Sequence, residues 1–126
     1  MKGGVRAMER YRNLEVWQLA DALALEIYKE TRHFPKNEAY GITSQLRRAA
    51  LSVPTNIVEG YSRRGDKELA RFLDISLGSL GELRYLLSFS WRLGYLSEGR
   101  FAEVENQAAN VGMKLWRFCD KVRQIE

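Results

Sequence analysis

The chain has 126 residues and a mass of 14.6 kDa, the size of one domain. Apolar residues make up 45% and charged residues 29%, a globular balance that excludes a wholly disordered chain. The net charge is +4 and the pI near 9.4, but Lys2, Arg6, Arg10 and Arg12 against Glu9 put +3 in the first twelve residues, leaving +1 for residues 13–126. Any basic site must therefore arise from local clustering and not from bulk charge.

Met1–Arg12, with Gly3-Gly4 and alternating basic residues, reads as a mobile basic tail, and Met8 is an alternative start. It has no apolar run, so it is not a secretory signal. Residues 13–126 are expected to form the folded domain. The first apolar-periodic segment runs from about Asn13, a candidate N-cap, to His33. Val16, Ala20, Leu23, Ile27 and Phe34 mark its stripe, and Trp17, Ala24 and Tyr28 widen it. Pro35 stops it, because the residue before proline is pushed out of the helical region.

The second segment, Tyr40 to Tyr61, carries Ile42, Leu46, Ala49, Val53 and Ile57. Pro54 lies inside it and predicts a kink or a break. The third runs from Asp66, a candidate N-cap, to Leu93, and Gly94 provides its C-terminal stop. The fourth starts after Ser97, a candidate N-cap, and Phe101, Val104, Ala108, Val111, Leu115, Phe118, Val122 and Ile125 alternate steps of three and four. A sustained 3.5-residue period suits near-antiparallel helices, so the sequence predicts an all-α, up-down-up-down four-helix bundle.

The third segment is apolar on more than one side. Ile75, Leu77, Tyr85 and Phe89 exceed what one stripe needs, and Gly78 and Gly81 make a smooth patch within a helix, each at a cost of about 1 kcal/mol relative to alanine. Close approach of another helix, in the same bundle or a neighbouring subunit, explains them. Together with Trp17 and Tyr28, these residues are read as a homo-oligomer interface.

Chemistry-bearing residues are sparse. Cys119 is the single cysteine, which excludes an internal disulfide and fits a reducing cytoplasm. Glu30 and His33 have the Glu-x-x-His spacing of di-iron bundles, but with His33 the single histidine such a site cannot be completed. No nucleotide loop or nucleophile–base pairing is evident, so no enzyme, metal or cofactor is expected. No run reaches the ~18 apolar residues of a membrane span, so a cytoplasmic protein with no membrane partner is expected. Basic residues gather instead from Thr43 to Arg71, where Arg47, Arg48, Arg63, Arg64, Lys67 and Arg71 stand against Glu59, Asp66 and Glu68. Arginine pairs and helix starts suit phosphate contacts, while ion pairs such as Glu68 to Arg71 are the structural alternative. Lys114, Arg117, Lys121 and Arg123 form a second basic stripe.

Several runs together carry a resemblance: Leu14-Glu15-Val16-Trp17-Gln18, Phe34-Pro35-Lys36, Tyr40 to Ala50, Ser52-Val53-Pro54-Thr55-Asn56-Ile57-Val58-Glu59-Gly60, Leu77-Gly78-Ser79-Leu80 with Glu82-Leu83, and Gly94-Tyr95-Leu96. The sequence resembles the bacterial four-helix-bundle proteins of 23S rRNA intervening sequences, relatives of the accessory variability determinant of diversity-generating retroelements. Ile42 and Val58 are conservative departures. The resemblance implies a homopentameric ring without enzymatic activity. It implies RNA association for the intervening-sequence members, and binding of nucleic acid and a reverse transcriptase for the retroelement relatives, with Arg47 and Arg48 in the signature run. Two functions follow as expectations: a nucleic-acid-binding accessory protein for structured RNA, or a protein-interaction scaffold whose basic face meets an acidic partner.

Overall fold

Apolar residues spaced three and four apart need a partner surface along their whole length, and the chain supplies it with four stripes that face one another. The structure, a computed structural model, describes residues 10–125, and side chains through Gln124. Four helices are formed: α1 (Glu15–Thr31), α2 (Ile42–Tyr61), α3 (Asp66–Arg92) and α4 (Glu98–Ile125). Single 3-10 turns at Tyr11–Asn13 and Lys36–Glu38 precede α1 and α2, and no strand occurs among the described residues. Each helix packs on its neighbour in sequence, and α1 also packs on α4, while the diagonal pairs stay apart. This is the antiparallel four-helix bundle that the periodicity predicts.

The core is one cluster in which Leu23, Ile27, Leu46, Val53, Ile57, Leu73, Leu83, Leu87, Val104, Val111 and Leu115 are fully buried. Each buried leucine or isoleucine contributes about 2 kcal/mol relative to exposure. Of the tail Met1–Arg12, residues 1–9, with the alternative start at Met8, lie outside the described residues. Tyr11, assigned to the tail from sequence, sets its ring edge-on against Trp17 at 4.8 Å. The Arg12 carbonyl accepts a hydrogen bond from Gln18 Nε2 at 2.8 Å.

Three local expectations are corrected. Asn13 closes the first 3-10 turn instead of capping α1, and Leu14, extended and without a side-chain acceptor, takes the cap position. Gly65, at φ +85°, precedes α3, so Asp66 lies in the first turn with Glu68, where both complement the positive helix end. Of the kink or break expected at Pro54, the break does not occur: α2 runs unbroken from Ile42 to Tyr61. Polar contacts hold the α2–α3 seam at that level. The Ser76 hydroxyl donates to the Val53 carbonyl at 2.7 Å, and the Ser52 and Ser79 hydroxyls lie 2.7 Å apart.

The other helix ends match expectation. The Arg100 N–H donates to Ser97 Oγ at 3.1 Å. Beyond α3, Gly94 at φ +85° closes a Schellman motif, with Gly94 N–H to the Trp91 carbonyl at 2.9 Å and Tyr95 N–H to that of Ser90 at 2.9 Å. Tyr95 then ties two loops together at one end of the bundle: its hydroxyl donates to Glu38 at 2.8 Å, and its ring meets Phe34 at 5.3 Å. Gly60 permits the tight α2–α3 turn, since a Cβ there would lie 2.9 Å from Leu69 Cδ1.

Long-range ion pairs close the bundle. Arg100 on α4 joins Glu26 and Glu30 on α1, and Glu103 on its own helix. Hydrogen bonding to Glu30 and then Glu103 raises the Arg100 pKa further above its ordinary value. Cys119, buried, donates to Asp74 at 3.4 Å, and Arg123 pairs with the same carboxylate. Burial first, and then the Asp74 carboxylate, pushes the Cys119 thiol up to about 11. Burial likewise raises Tyr61. Cys119 is neutral in the native state below its raised pKa, so its contribution is complete below the unfolded thiol pKa near 9 and is lost as pH rises through about 11. Stability measured by urea melts should therefore decline between pH 9 and 11, and Cys119→Ala should flatten part of that decline. An identical decline in the variant would remove Cys119 from the account.

Candidate nucleic-acid interface

Helix α2 is about 30 Å long at 1.5 Å per residue, and this length separates the basic residues that the sequence groups together. Arg47 and Arg48 sit in its second turn, whereas Arg63, Arg64, Lys67 and Arg71 follow its far end. The two groups are roughly 20 Å apart along the helix axis. They form two patches, not one.

Within the first patch the two arginines have different tasks. Arg47 is half-buried and two of its nitrogens are engaged: Nε donates to Thr31 Oγ1 at 2.8 Å, and a terminal nitrogen donates to the Tyr28 carbonyl at 3.3 Å. Its guanidinium lies 4.7 Å from the centroid of the Tyr28 ring. The Thr31 hydroxyl donates in turn to the Ile27 carbonyl at 2.8 Å. Arg47 thus caps the negative end of α1 from a neighbouring helix. Arg48 is exposed and forms no ion pair among the described residues. The open cleft beside them has a volume of about 380 Å³, and no carboxylate lines it.

In the second patch, Arg63 pairs with Glu59 at 2.9 Å and Arg71 with Glu68 at 3.2 Å. The Arg71 contact lowers the Glu68 carboxyl pKa from its ordinary value. Both guanidiniums lie against Phe72, at 5.1 and 4.5 Å from the ring centroid. Arg64 and Lys67 form no ion pair among the described residues. The fold adds one residue to this patch that sequence grouping had placed elsewhere: Arg123 of α4 lines a cleft of about 240 Å³ with Lys67, Arg71 and Asp74. Arg123 is 52 positions from Arg71 by sequence number, and only α3–α4 packing brings them together.

The residues predicted for an oligomer interface also divide. Ile75, Gly78, Gly81, Tyr85 and Phe89 are exposed on the outer side of α3, opposite Leu73, Leu80, Leu83 and Leu87. No atom comes within 4 Å of a Cβ placed on Gly78 or Gly81, so no helix of the same bundle approaches them. Tyr85 and Phe89 pack on each other at 6.2 Å and wall a cleft of about 290 Å³ with Ile42, Leu86 and Leu93, whose lining also includes Glu38 and Gln45. Trp17 and Leu77, in contrast, are half-buried against the core, and Tyr28 lies beneath Arg47. Exposed Leu25, Met113 and Trp116 were not singled out from sequence; a break in polarity on the outer faces of the first and fourth segments was the available signal.

Arg47 contributes to stability through its bonds to Thr31 and Tyr28. Arg47→Ala should lower the unfolding free energy by about 1–2 kcal/mol, while Arg48→Ala should change it by less than about 0.5 kcal/mol. Urea melts of the two variants check this, and equal losses would contradict the division of roles.

No helix among the described residues is long and apolar enough to cross a membrane. No curated protein matches the chain. Among solved structures, a protein of unknown function from the S23 ribosomal protein family of Bacteroides thetaiotaomicron VPI-5482 has a similar fold, with a TM-score of 0.77 at 18% identity over 83% of this chain and 95% of that one. The model of the 23S rRNA-intervening sequence protein family matches residues 12–117, and the chain belongs to that family.

Proposed function

We propose that the chain is a non-enzymatic accessory protein that assembles with copies of itself and binds nucleic acid, structured RNA in particular. The observation that carries this reading is that three of the six cations clustered from Thr43 to Arg71, namely Arg48, Arg64 and Lys67, form no ion pair among the described residues and lie at the two ends of α2. Cations held apart by a rigid helix match the repeated phosphates of a folded strand. Copies of the chain in a ring, a pentamer as the family resemblance implies, multiply these modest patches into a multivalent surface.

The outer face of α3 supplies the contact between copies. Two mid-helix glycines cost stability, and no helix of the same bundle uses the space they leave. A neighbouring copy that packs closely over Gly78 and Gly81, flanked by Ile75, Tyr85 and Phe89, accounts for them. A protein-interaction scaffold is the second reading, favoured by Trp116, 64% exposed, and Met113 on α4. In that case the basic patches face an acidic protein, or a reverse transcriptase.

Fluorescence anisotropy of a structured rRNA fragment tests the first reading. Three phosphate contacts per protomer predict a slope of log K against log salt of about −2 to −3 for each protomer engaged. Charge reversal at Arg48 and Arg64 should weaken binding by at least about tenfold with helicity intact; unchanged affinity would refute the assignment. The oligomer has its own test. Gly78→Ala should raise the intrinsic stability of α3 by up to about 1 kcal/mol yet shift sedimentation toward monomer. A variant that is both stabilised and fully assembled would exclude this face.

A further inference from the structure

The cleft at the start of α2 gathers donors that the fold leaves unused. It is lined by Tyr28, Ala39, Thr43, Ser44, Arg47 and Arg48. The backbone N–H of Ile42 is taken by Glu38 Oε1 at 3.3 Å, and the other oxygen of that carboxylate accepts from Tyr95. The next two N–H groups, of Thr43 and Ser44, have no acceptor among the described residues. Gly41 at the cap has no side chain, and the first turn holds no acidic residue, so the positive end of a 20-residue helix is only partly covered.

The wall of the cleft holds an unpaired polar group. Thr43 is 8% exposed, and its buried hydroxyl has no hydrogen-bond partner among the described residues. Buried hydroxyls are nearly always paired, so this one calls for an explanation. Ser44 and Arg48 are one turn apart, as are Thr43 and Arg47. The Cα–Cβ bonds of a helix lean toward its N-terminus, which carries the Arg48 side chain back over the first turn. Arg47, tied to Thr31 and Tyr28, holds that wall in place.

We propose that this cleft seats one phosphate group, held by the Thr43 and Ser44 N–H groups, the Ser44 hydroxyl and the Arg48 guanidinium, with Arg47 as a positioning residue. A tetrahedral oxyanion complements a helix N-terminus flanked by a hydroxyl and a guanidinium. The inference rests on the nucleic-acid reading for its source, a phosphate of the RNA backbone. Free inorganic phosphate offers the same chemistry and serves as the probe.

Isothermal titration calorimetry of inorganic phosphate into the full chain, against chloride at matched ionic strength, tests the site. Saturable binding of one phosphate per chain is expected. It should weaken at least tenfold in Arg48→Gln and in Ser44→Ala, and stay unchanged in Arg64→Gln at the far end of α2. Heats no different from chloride, or equal binding by Arg48→Gln, would overturn the site. Anisotropy of labelled RNA separates this proposal from the broader reading. RNA binding with no phosphate binding removes the seat and keeps the nucleic-acid function. Phosphate binding with no RNA binding at low salt keeps the seat for the free ion and removes the RNA as its source.

Discussion

Burial of the leucine row of α3 is the interaction on which the rest depends. Leu73, Leu80, Leu83 and Leu87 are at most 3% exposed, and they face a core to which every helix contributes. At about 2 kcal/mol for each buried side chain, this row directs α3 against α2 on one side and α4 on the other. With the inner face of α3 committed, its outer residues have no choice of environment within one chain. Gly78, Gly81, Tyr85 and Phe89 face outward because the leucines face inward.

The same commitment shapes the charged surface. Helix α2 continues through Pro54, so one helix connects the two groups of basic residues. Ser76 and Ser79 of α3 bond to Val53 and Ser52 beside the proline. The fold sets where each cation stands more than how much charge there is: the domain from residue 13 onward carries little excess charge.

Not every basic residue is available to a ligand, and the reason is energetic. A guanidinium beside carbonyls or a carboxylate of the same chain is already satisfied in part. Arg47 caps α1, Arg63 and Arg71 pair within a turn and flank Phe72, and Arg100 gathers three glutamates. Such exposed pairs contribute little stability individually, but each lowers the local positive potential. The cations left over from that cluster, Arg48, Arg64 and Lys67, are fewer than the six counted along the chain.

The amino-acid sequence by itself determined the helical class, the four segments and most of the core, because a 3.5-residue apolar period is a local property that one face of a helix must bury. It also marked the stop at Gly94 and the cap at Ser97, which act over a few residues. Tertiary structure alone decided which long side chains are engaged. Arg47 meets Thr31 16 positions away, Arg100 meets Glu30 70 positions away, and Arg123 joins Lys67 and Arg71 across the α3–α4 contact. An arginine side chain spans several ångströms and rotates about several bonds, so its partner is set by which helices lie alongside, and not by its neighbours in sequence. The empty space over Gly78 and the unpartnered hydroxyl of Thr43 are likewise properties of the packed bundle.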